Sequence, residues 1–418
     1  MTDGEDEFNS ISELLSRAHE VDYQSYTGQF VRSSYELVRR YAGGGLSIGR
    51  SLAAIFDLTV TALYMENLLR SKWYFCANEK TQRAVYPFVN TCPSCALSGE
   101  FAYIEAGKPP SAKIGKATSV ILAAILDLQA KYLKGENYRV CTIDDNGLVD
   151  ACLIGEKSIG LFEIKSAPLV AFPLMVPLHR ESEFSDCGPI VNAALSEHVS
   201  MKAPDDYDAF MLIDENLSIP VGSPGEFGLG EHYRRILEWL SIEENFRKFV
   251  ESWTQTFNGY AVPSLRGNTF WLTNGCGVPT PRPESWPQRR PSGGGYASIS
   301  DGKSSVGMDR TDDVKKGIYQ VIKISTHYKE FFPSEGWEVS AALVSNIHAV
   351  KHHENYLKEL EDVVWTIDGK GQSHVVDRDQ THVLIERPKL HNLFDGIIAF
   401  TKSYFRDDFL REIYDFNV

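Results

Sequence analysis

The sequence predicts an α/β fold with a mixed central β-sheet flanked by helices, preceded by a helical N-terminal region that carries a CxxC motif. Residues 148–168 contain two short apolar runs joined by Gly-Glu-Lys, a pattern typical of a β-hairpin. Stretches with helical apolar spacing lie on both sides of this hairpin in the sequence. With 418 residues and 43% hydrophobic content, the chain is long enough for two or three subdomains around a sizeable core.

Composition and charge narrow the class of protein. The formal net charge of −14 argues against a protein that coats nucleic acid without specificity, although basic residues can still line one cleft. The first ten residues are acidic and contain no apolar signal region, and the longest apolar run, around residues 120–128, is too short to span a membrane. Seven cysteines without an export signal indicate reduced thiols, so we expect a cytoplasmic protein with no membrane partner.

The N-terminal part of the chain predicts two helices. Residues 8–40 have apolar side chains at helical spacing, and Ser10 or Ser12 is a candidate N-cap. Three glycines at 43–45 end this helix, and residues 51–70 predict a second one. We expect these helices to serve structure or dimer formation.

The next motif is a possible metal site. Cys92 and Cys95 form a CxxC knuckle that suits tetrahedral Zn²⁺ ligation, and Cys76 is a candidate third ligand. A second CxxC is missing, because Cys76 is followed by Asn78 two positions on and then by Glu79, which stands where its second cysteine would be. The alternatives are a degenerate zinc ribbon that has lost its metal, or two thiols in a turn.

A strongly apolar helix and a strand precede the hairpin. Residues 108–115 form a proline turn that leads into the helix, with Ser111 as its expected N-cap. Residues 138–145 predict the first strand of the core sheet. The order of one helix and three strands fits an α/β core with a mixed sheet.

The hairpin carries the candidate catalytic residues. Strand side chains alternate between faces, so Glu163 and Lys165 share one face, which Asp150 reaches if the two strands pair. Two carboxylates can bind Mg²⁺, which activates water and neutralises charge on a phosphate, and a lysine can orient the attacking water. The pattern therefore indicates metal-assisted phosphodiester hydrolysis; the alternative is a solvated surface salt bridge.

A long segment rich in proline, glycine and serine follows at residues 279–310 and predicts a loop. Its basic side chains can reach phosphates or guanine edges, so we expect a contact with DNA; the alternative is a flexible linker. These residues are Arg282, Arg289, Arg290, Lys303 and Arg310.

The remaining elements are a helix, a strand and a C-terminal region. The helix at residues 309–327 begins near Thr311 and carries the polar residues Lys315, Lys316 and Gln320 on one side. A strand at 338–350 follows, then a peripheral helix at 352–365 and a last helix near 390–405.

The motif Asp150…Glu163-Ile164-Lys165 resembles the PD-(D/E)XK nuclease signature, and the surrounding chain is similar to type II restriction endonucleases. Val149 stands where the signature often has proline. The turn at 108–115 and the run at 310–320 also resemble stretches of some restriction endonucleases, which implies that Gln320 approaches the active site or the DNA backbone. The resemblance implies Mg²⁺-dependent, sequence-specific cleavage of double-stranded DNA by a homodimer, with a DNA methyltransferase as a genetic partner.

We therefore expect three regions. They are a helical region with a possible zinc knuckle at 1–107, a nuclease core at 108–365 that includes the DNA-contacting loop 279–310, and a C-terminal extension at 366–418. Two alternatives to a restriction enzyme remain: a repair or structure-specific nuclease of the same fold, and a non-enzymatic DNA-binding protein.

Overall fold

A computed structural model describes most of the chain. It covers residues 11–68, 73–78, 83–107, 109–143, 148–177, 198–286, 305–331, 336–358, 364–367, 373–376, 382–385 and 394–416. The helices are α1 (Ile11–Ser16), α2 (Tyr26–Tyr41), α3 (Ile48–Leu68), α4 (Pro93–Leu97), α5 (Ser111–Lys134), α6 (Glu231–Leu240), α7 (Glu243–Ala261), α8 (Thr311–Phe331), α9 (His353–Tyr356) and α10 (Asp408–Tyr414). The predicted mixed α/β class is confirmed.

The larger sheet has seven strands and contains the predicted hairpin. Its spatial order is β1 (Ala18–Glu20), β4 (Arg139–Ile143), β5 (Ala151–Ile154), β6 (Ser158–Ile164), β11 (Glu338–Ser345), β15 (Gly396–Ala399) and β16 (Tyr404–Phe405). The first four strands and the last pair are antiparallel, whereas β6, β11 and β15 run parallel to one another. Parallel neighbours require a crossover, and the connection from β6 to β11 contains β7–β10 and helices α6, α7 and α8.

The second sheet has six strands and is antiparallel throughout. Its spatial order is β10 (Ser218–Gly222), β9 (Ala209–Leu212), β7 (Leu174–Pro177), β3 (Arg83–Tyr86), β2 (Trp73–Phe75) and β8 (Val199–Met201). Strands on both sides of residue 107 therefore share one sheet. A separate three-stranded antiparallel meander consists of β12 (Val364–Ile367), β13 (Ser373–Val376) and β14 (His382–Ile385).

Helix α3 forms the centre of the main core. Most of its side chains between Leu52 and Ala62 are completely buried. Among the described residues, its stretch Ile48–Met65 is also the one helix with the length and apolar content to cross a membrane, but 83% of that stretch is buried inside the protein. This helix therefore belongs to the core of the protein.

The prediction of one helix over residues 8–40 is wrong. The Asp22 carboxylate accepts hydrogen bonds from the backbone N–H groups of Gln24 and Ser25, and this turn interrupts the helix. The N-cap of α2 is Ser25, whose hydroxyl accepts from the Gly28 N–H. Of the two serines predicted to cap the first helix, Ser12 lies inside α1, and Ser10 lies outside the described residues. The residues before the turn form α1 and β1, and β1 completes one edge of the larger sheet.

Three other local predictions are also wrong. Pro110 occupies the N-cap position of α5 and no side chain caps this helix, so Ser111 is its first residue and not its cap. The helix predicted at 352–365 does not extend to its expected end, because residues 364–367 form β12; α9 covers His353–Tyr356, and residues 359–363 lie outside the described part of the chain. The predicted helix near 390–405 is instead the strand pair β15 and β16, because β15 extends the parallel part of the sheet beside β11.

Candidate active site and metal centre

The hairpin of β5 and β6 places the two candidate carboxylates opposite each other. Ala151 pairs with Phe162, so extending the register by one residue sets Asp150 opposite Glu163. The Asp150 N–H donates to the Phe162 carbonyl oxygen at 3.0 Å, and Asp150 Oδ2 accepts from the Ile164 N–H at 2.7 Å. The side chain of Asp150 therefore lies against the end of β6, where the two catalytic candidates from that strand are found.

Lys165 completes the group. Its backbone N–H donates to the Val344 carbonyl oxygen at 2.9 Å, which continues the parallel pairing of β6 with β11 beyond the end of β6. Its ammonium forms an ion pair with the Glu163 carboxylate, so both side chains lie on one face, as the alternation of strand side chains predicts. Glu163 is 5% exposed and Lys165 is 25% exposed. The pair is therefore not a solvated surface salt bridge.

Asp150, Glu163 and Lys165 bring two carboxylates together in a poorly hydrated environment. Burial raises the pKa of Glu163 to about 7, and the Asp150 carboxylate adds to this rise, whereas Lys165 opposes it. Burial by itself would lower the pKa of Lys165, but Glu163, Asp150 and Asp313 outweigh burial and the pKa is raised. The site therefore has an excess of negative charge that one ammonium does not fully balance.

A cleft of about 400 Å³ opens next to this group. Asp150 and Lys165 line it, together with polar residues from three other parts of the chain, whereas Glu163 lies below its surface. The polar and charged residues of the other walls are Ser119, Asn274, Ser305, Arg310, Asp313 and Lys316.

Two glycines allow the walls to approach the catalytic strand closely. A Cβ atom at Gly317 of α8 would lie 2.7 Å from Leu343 Cδ1 and 3.3 Å from Lys165 Cγ. Gly307 has a φ of +52°, and a Cβ there would lie 3.2 Å from the Ala167 backbone nitrogen. Helix α8 and the turn before it therefore pack directly against Lys165 and the two residues that follow it.

A buried carboxylate fixes the turn that precedes α8. Asp309 Oδ2 accepts from the Tyr260 hydroxyl at 2.6 Å, and Asp309 Oδ1 accepts from the backbone N–H groups of Lys351 and His352. Burial raises the pKa of Asp309, although these hydrogen bonds oppose the rise. The next residue, Arg310, is thereby fixed at the wall of the cleft.

The predicted DNA-contacting residues do not all lie at the cleft. Arg310 and Lys316 line the cleft. Lys315 lies outside the cleft lining, with its ammonium 5.2 Å from the Tyr356 ring centroid, and Gln320 is likewise not among the lining residues. Arg282 is half-buried near the start of the proline-rich segment. Arg289, Arg290 and Lys303 lie outside the described residues.

Asp313 is a cleft residue that the sequence analysis missed. Its carboxylate is 3.1 Å from an Arg310 guanidinium nitrogen and contributes to the raised pKa of Lys165. It occupies the first turn of α8, where an acidic residue is common for the sake of the helix dipole alone. Its position in the sequence therefore carried no signal of a role in the site.

The second candidate site is a cluster of three cysteines and one histidine. Among the described residues, it is the only group of three or more His, Cys, Asp or Glu side chains whose potential ligand atoms all lie within 4.8 Å of one another. It joins the three predicted cysteines, Cys76, Cys92 and Cys95, with His198, which the sequence analysis did not select. The cluster can bind a metal ion, and its donor set is compatible with structural zinc.

The two sites differ in the chemistry they can support. The cleft combines carboxylates with cationic side chains, which suits a hard divalent cation and a phosphate group. The cysteine cluster is buried and has a closed set of soft donors, which suits a structural metal. Comparison of the chain with models of known families, with curated proteins and with solved structures finds no match.

Proposed function

We propose that the protein is a nuclease with a PD-(D/E)XK active site, which hydrolyses phosphodiester bonds in double-stranded DNA as a type II restriction endonuclease. The observation that carries the proposal is the convergence of Asp150, Glu163 and Lys165 beside a cleft with basic walls. The chain order is compatible with it, because α5 is followed directly by β4, β5 and β6, and α8 is followed directly by β11, although β7–β10, α6 and α7 lie between these two groups. The helix and three strands are the order predicted for the core.

The donor set at the cleft fits the implied Mg²⁺. Asp150 and Glu163 would bind the ion, because Mg²⁺ prefers carboxylate oxygens. Burial, and after it the neighbouring Asp150 carboxylate, raise the pKa of Glu163, and a bound cation would offset the repulsion between the two carboxylates. When bound, the ion would supply an acidified water and neutralise charge on the scissile phosphate. Because Glu163 is buried, its carboxylate is shielded from bulk water, and its attraction to a bound cation is stronger than it would be in water.

The basic side chains have separate roles in this proposal. Lys165 lies at the cleft and would donate hydrogen bonds to the attacking water or to a non-bridging phosphate oxygen, where negative charge increases during hydrolysis. Arg310 and Lys316 lie farther along the same cleft and would bind phosphates on either side of the scissile bond. Asp313 holds Arg310 in position by their ion pair until a phosphate replaces it.

The proposal extends to the setting of the enzyme. A symmetric recognition sequence is read by a two-fold symmetric protein, so we propose a homodimer in the cytoplasm. A DNA methyltransferase encoded nearby would protect the host DNA. We also propose Zn²⁺ as a structural metal at the cluster that contains Cys76, Cys92 and Cys95.

A plasmid digest with Mg²⁺ tests the proposal. Discrete bands are expected from a restriction enzyme, whereas a smear would indicate a nuclease without sequence specificity. Asp150→Ala, Glu163→Ala and Lys165→Ala should each abolish cleavage. Glu156→Ala and Lys157→Ala are matched controls, because these residues occupy the exposed turn of the same hairpin and should leave the rate unchanged. Wild-type cleavage by Glu163→Ala would refute the assignment.

A further inference from the structure

We infer that His198 completes a tetrahedral Zn²⁺ site with Cys76, Cys92 and Cys95, and that this ion holds the surface on which the start of the proline-rich segment is docked. The zinc site is independent of the nuclease proposal, because none of its ligands lines the cleft. The inference has two parts, the ligand set and the docked surface.

Three distances between the donor atoms match edges of a tetrahedron around zinc. Cys76 Sγ lies 3.6 Å from Cys92 Sγ and 3.7 Å from Cys95 Sγ, and Cys95 Sγ lies 3.4 Å from His198 Nε2. With Zn–S bonds of about 2.3 Å and a Zn–N bond of about 2.05 Å, tetrahedral edges are about 3.8 Å between sulfurs and about 3.6 Å between sulfur and nitrogen. A disulfide would require a sulfur separation of about 2.05 Å, which is much shorter than the 3.6 and 3.7 Å found between these cysteines.

Strand pairing and the CxxC turn bring the four ligands together. Phe75 pairs with Val199 in the antiparallel β2–β8 pair, so the register sets Cys76 opposite His198, each one residue outside its strand. Cys92 is the N-cap of α4, and Cys95 lies in the first turn of this short helix. The CxxC spacing therefore brings two thiols to one end of α4, next to the edge of the second sheet.

A histidine and three thiols form a complete ligand set for a closed structural site. All three cysteines are buried, and His198 is half-buried. Catalytic zinc sites keep an open position, whereas four protein ligands occupy the whole tetrahedron. The expected role of the ion is therefore structural: it ties a strand, a helix and a segment more than one hundred residues away into one unit.

The zinc cluster continues into the surface that holds Trp286. Immediately after α4 the chain turns back, and the Cys92 N–H donates to the Ala102 carbonyl oxygen at 2.9 Å. The neighbouring Phe101 carbonyl oxygen accepts from Trp286 Nε1 at 2.8 Å, and the Tyr103 and Trp286 rings make an edge contact at 5.5 Å between centroids. Trp286 belongs to the proline-rich segment and is the last residue that the structure describes before residue 305. Loss of the ion should therefore release Trp286.

Metal analysis tests the ligand set. Protein purified without chelators should contain about one zinc per chain, and Co²⁺ exchanged into the site should show the intense visible d–d bands of a four-coordinate ion. Cys92→Ser and His198→Ala should lower zinc affinity by more than about a hundredfold, which exceeds the usual effect of removing only an outer partner of a ligand. Cys276→Ser and His19→Ala are matched controls and should keep the zinc.

The wild-type measurements decide the question even if a variant fails to fold. Wild-type protein that contains no zinc and gives no four-coordinate Co²⁺ spectrum would overturn the site. A folded His198→Ala variant with undiminished zinc affinity would overturn His198 as the fourth ligand.

Tryptophan fluorescence tests the docked surface. Removing zinc with a chelator should shift the emission of the wild-type protein to longer wavelength and increase its quenching by acrylamide, because Trp286 loses its buried position. The Trp286→Phe variant should lack most of this change, and adding Zn²⁺ back should reverse it in the wild type. Identical changes in both proteins would show that zinc does not hold Trp286 and would overturn this part of the inference.

Discussion

Asp57 connects the central helix to the chain that follows the catalytic strand, so its substitution should affect both stability and activity. It is completely buried in α3, and its carboxylate accepts from the backbone N–H groups of Leu169 and Val170 at 3.1 and 2.8 Å and from Trp253 Nε1 at 2.7 Å. Asn346 Nδ2 approaches it at 3.5 Å, and this amide also bonds the backbone of Ala167, two residues after Lys165.

The effect of Asp57→Asn on the pH dependence of stability can be worked out from the pKa of this group. Burial raises the pKa of Asp57 from 3.8 to about 7, although its hydrogen bonds oppose the rise. Because the folded pKa exceeds the unfolded one, the group's contribution to stability is fully present below about pH 4 and is lost as the pH rises through about 7. Between about pH 5 and about pH 8 the loss is at most about 2.8 kcal/mol, because each of the two pH units up to the folded pKa contributes ~1.4 kcal/mol.

Asparagine does not titrate, so Asp57→Asn should remove this pH dependence. It should also lower stability at every pH, because its NH₂ group faces N–H donors and leaves buried donors unsatisfied, at about 1–3 kcal/mol each. Urea unfolding at about pH 5 and about pH 8 measures both effects. Asp408→Asn is the control, because its carboxylate is 82% exposed, and it should follow the wild type. If Asp57→Asn and the wild type lost equal stability between the two pH values, this account of Asp57 would be refuted.

Three further predictions concern the cleft. Arg310→Ala and Lys316→Ala should each weaken DNA binding and reduce the slope of log affinity against log salt by about one, as measured by fluorescence anisotropy on duplexes; an unchanged slope would exclude a phosphate contact. Gly317→Ala would place a Cβ atom 2.7 Å from a side-chain carbon of β11, so denaturant unfolding should show a loss of about 1–3 kcal/mol. Gly115→Ala, whose Cβ would have no neighbour within 4 Å, should instead be neutral or stabilising by up to about 1 kcal/mol, and equal losses in the two variants would contradict the packing argument. Glu163→Gln should abolish cleavage but lower the free energy of unfolding of the metal-free protein by less than about 1 kcal/mol. The loss is small because the substitution removes the ion pair with Lys165 together with a buried charge next to another carboxylate. A larger loss would show that this carboxylate mainly serves stability.

The sequence by itself determined the features that depend on local geometry. The alternation of side chains in a strand and the Gly-Glu-Lys turn sufficed to predict the β5–β6 hairpin, and with it the shared face of Glu163 and Lys165. Helical periodicity located α3 and α8. The spacing of Cys92 and Cys95 fixed two thiols at one end of a turn, whatever the rest of the fold.

Strands at the edges of the larger sheet were decided only by the tertiary structure. Residues 18–20 and 396–399 have no alternation that distinguishes a strand from a short helix, and all four residues of β15 are buried. They become strands because β4 and β11 offer unpaired backbone groups for them to bond. These partner strands are distant in the chain, so local periodicity does not predict the pairing.

The tertiary structure likewise selected the residues that complete each site. His198 joins the cysteine cluster because the β2–β8 register sets it opposite Cys76, and a single histidine in the sequence gives no sign of that pairing. Asp313 enters the cleft because Gly317 lets α8 approach Lys165 closely. In both cases the distance between side chains depends on how two elements pack, and packing is set by long-range contacts that spacing along the chain does not encode.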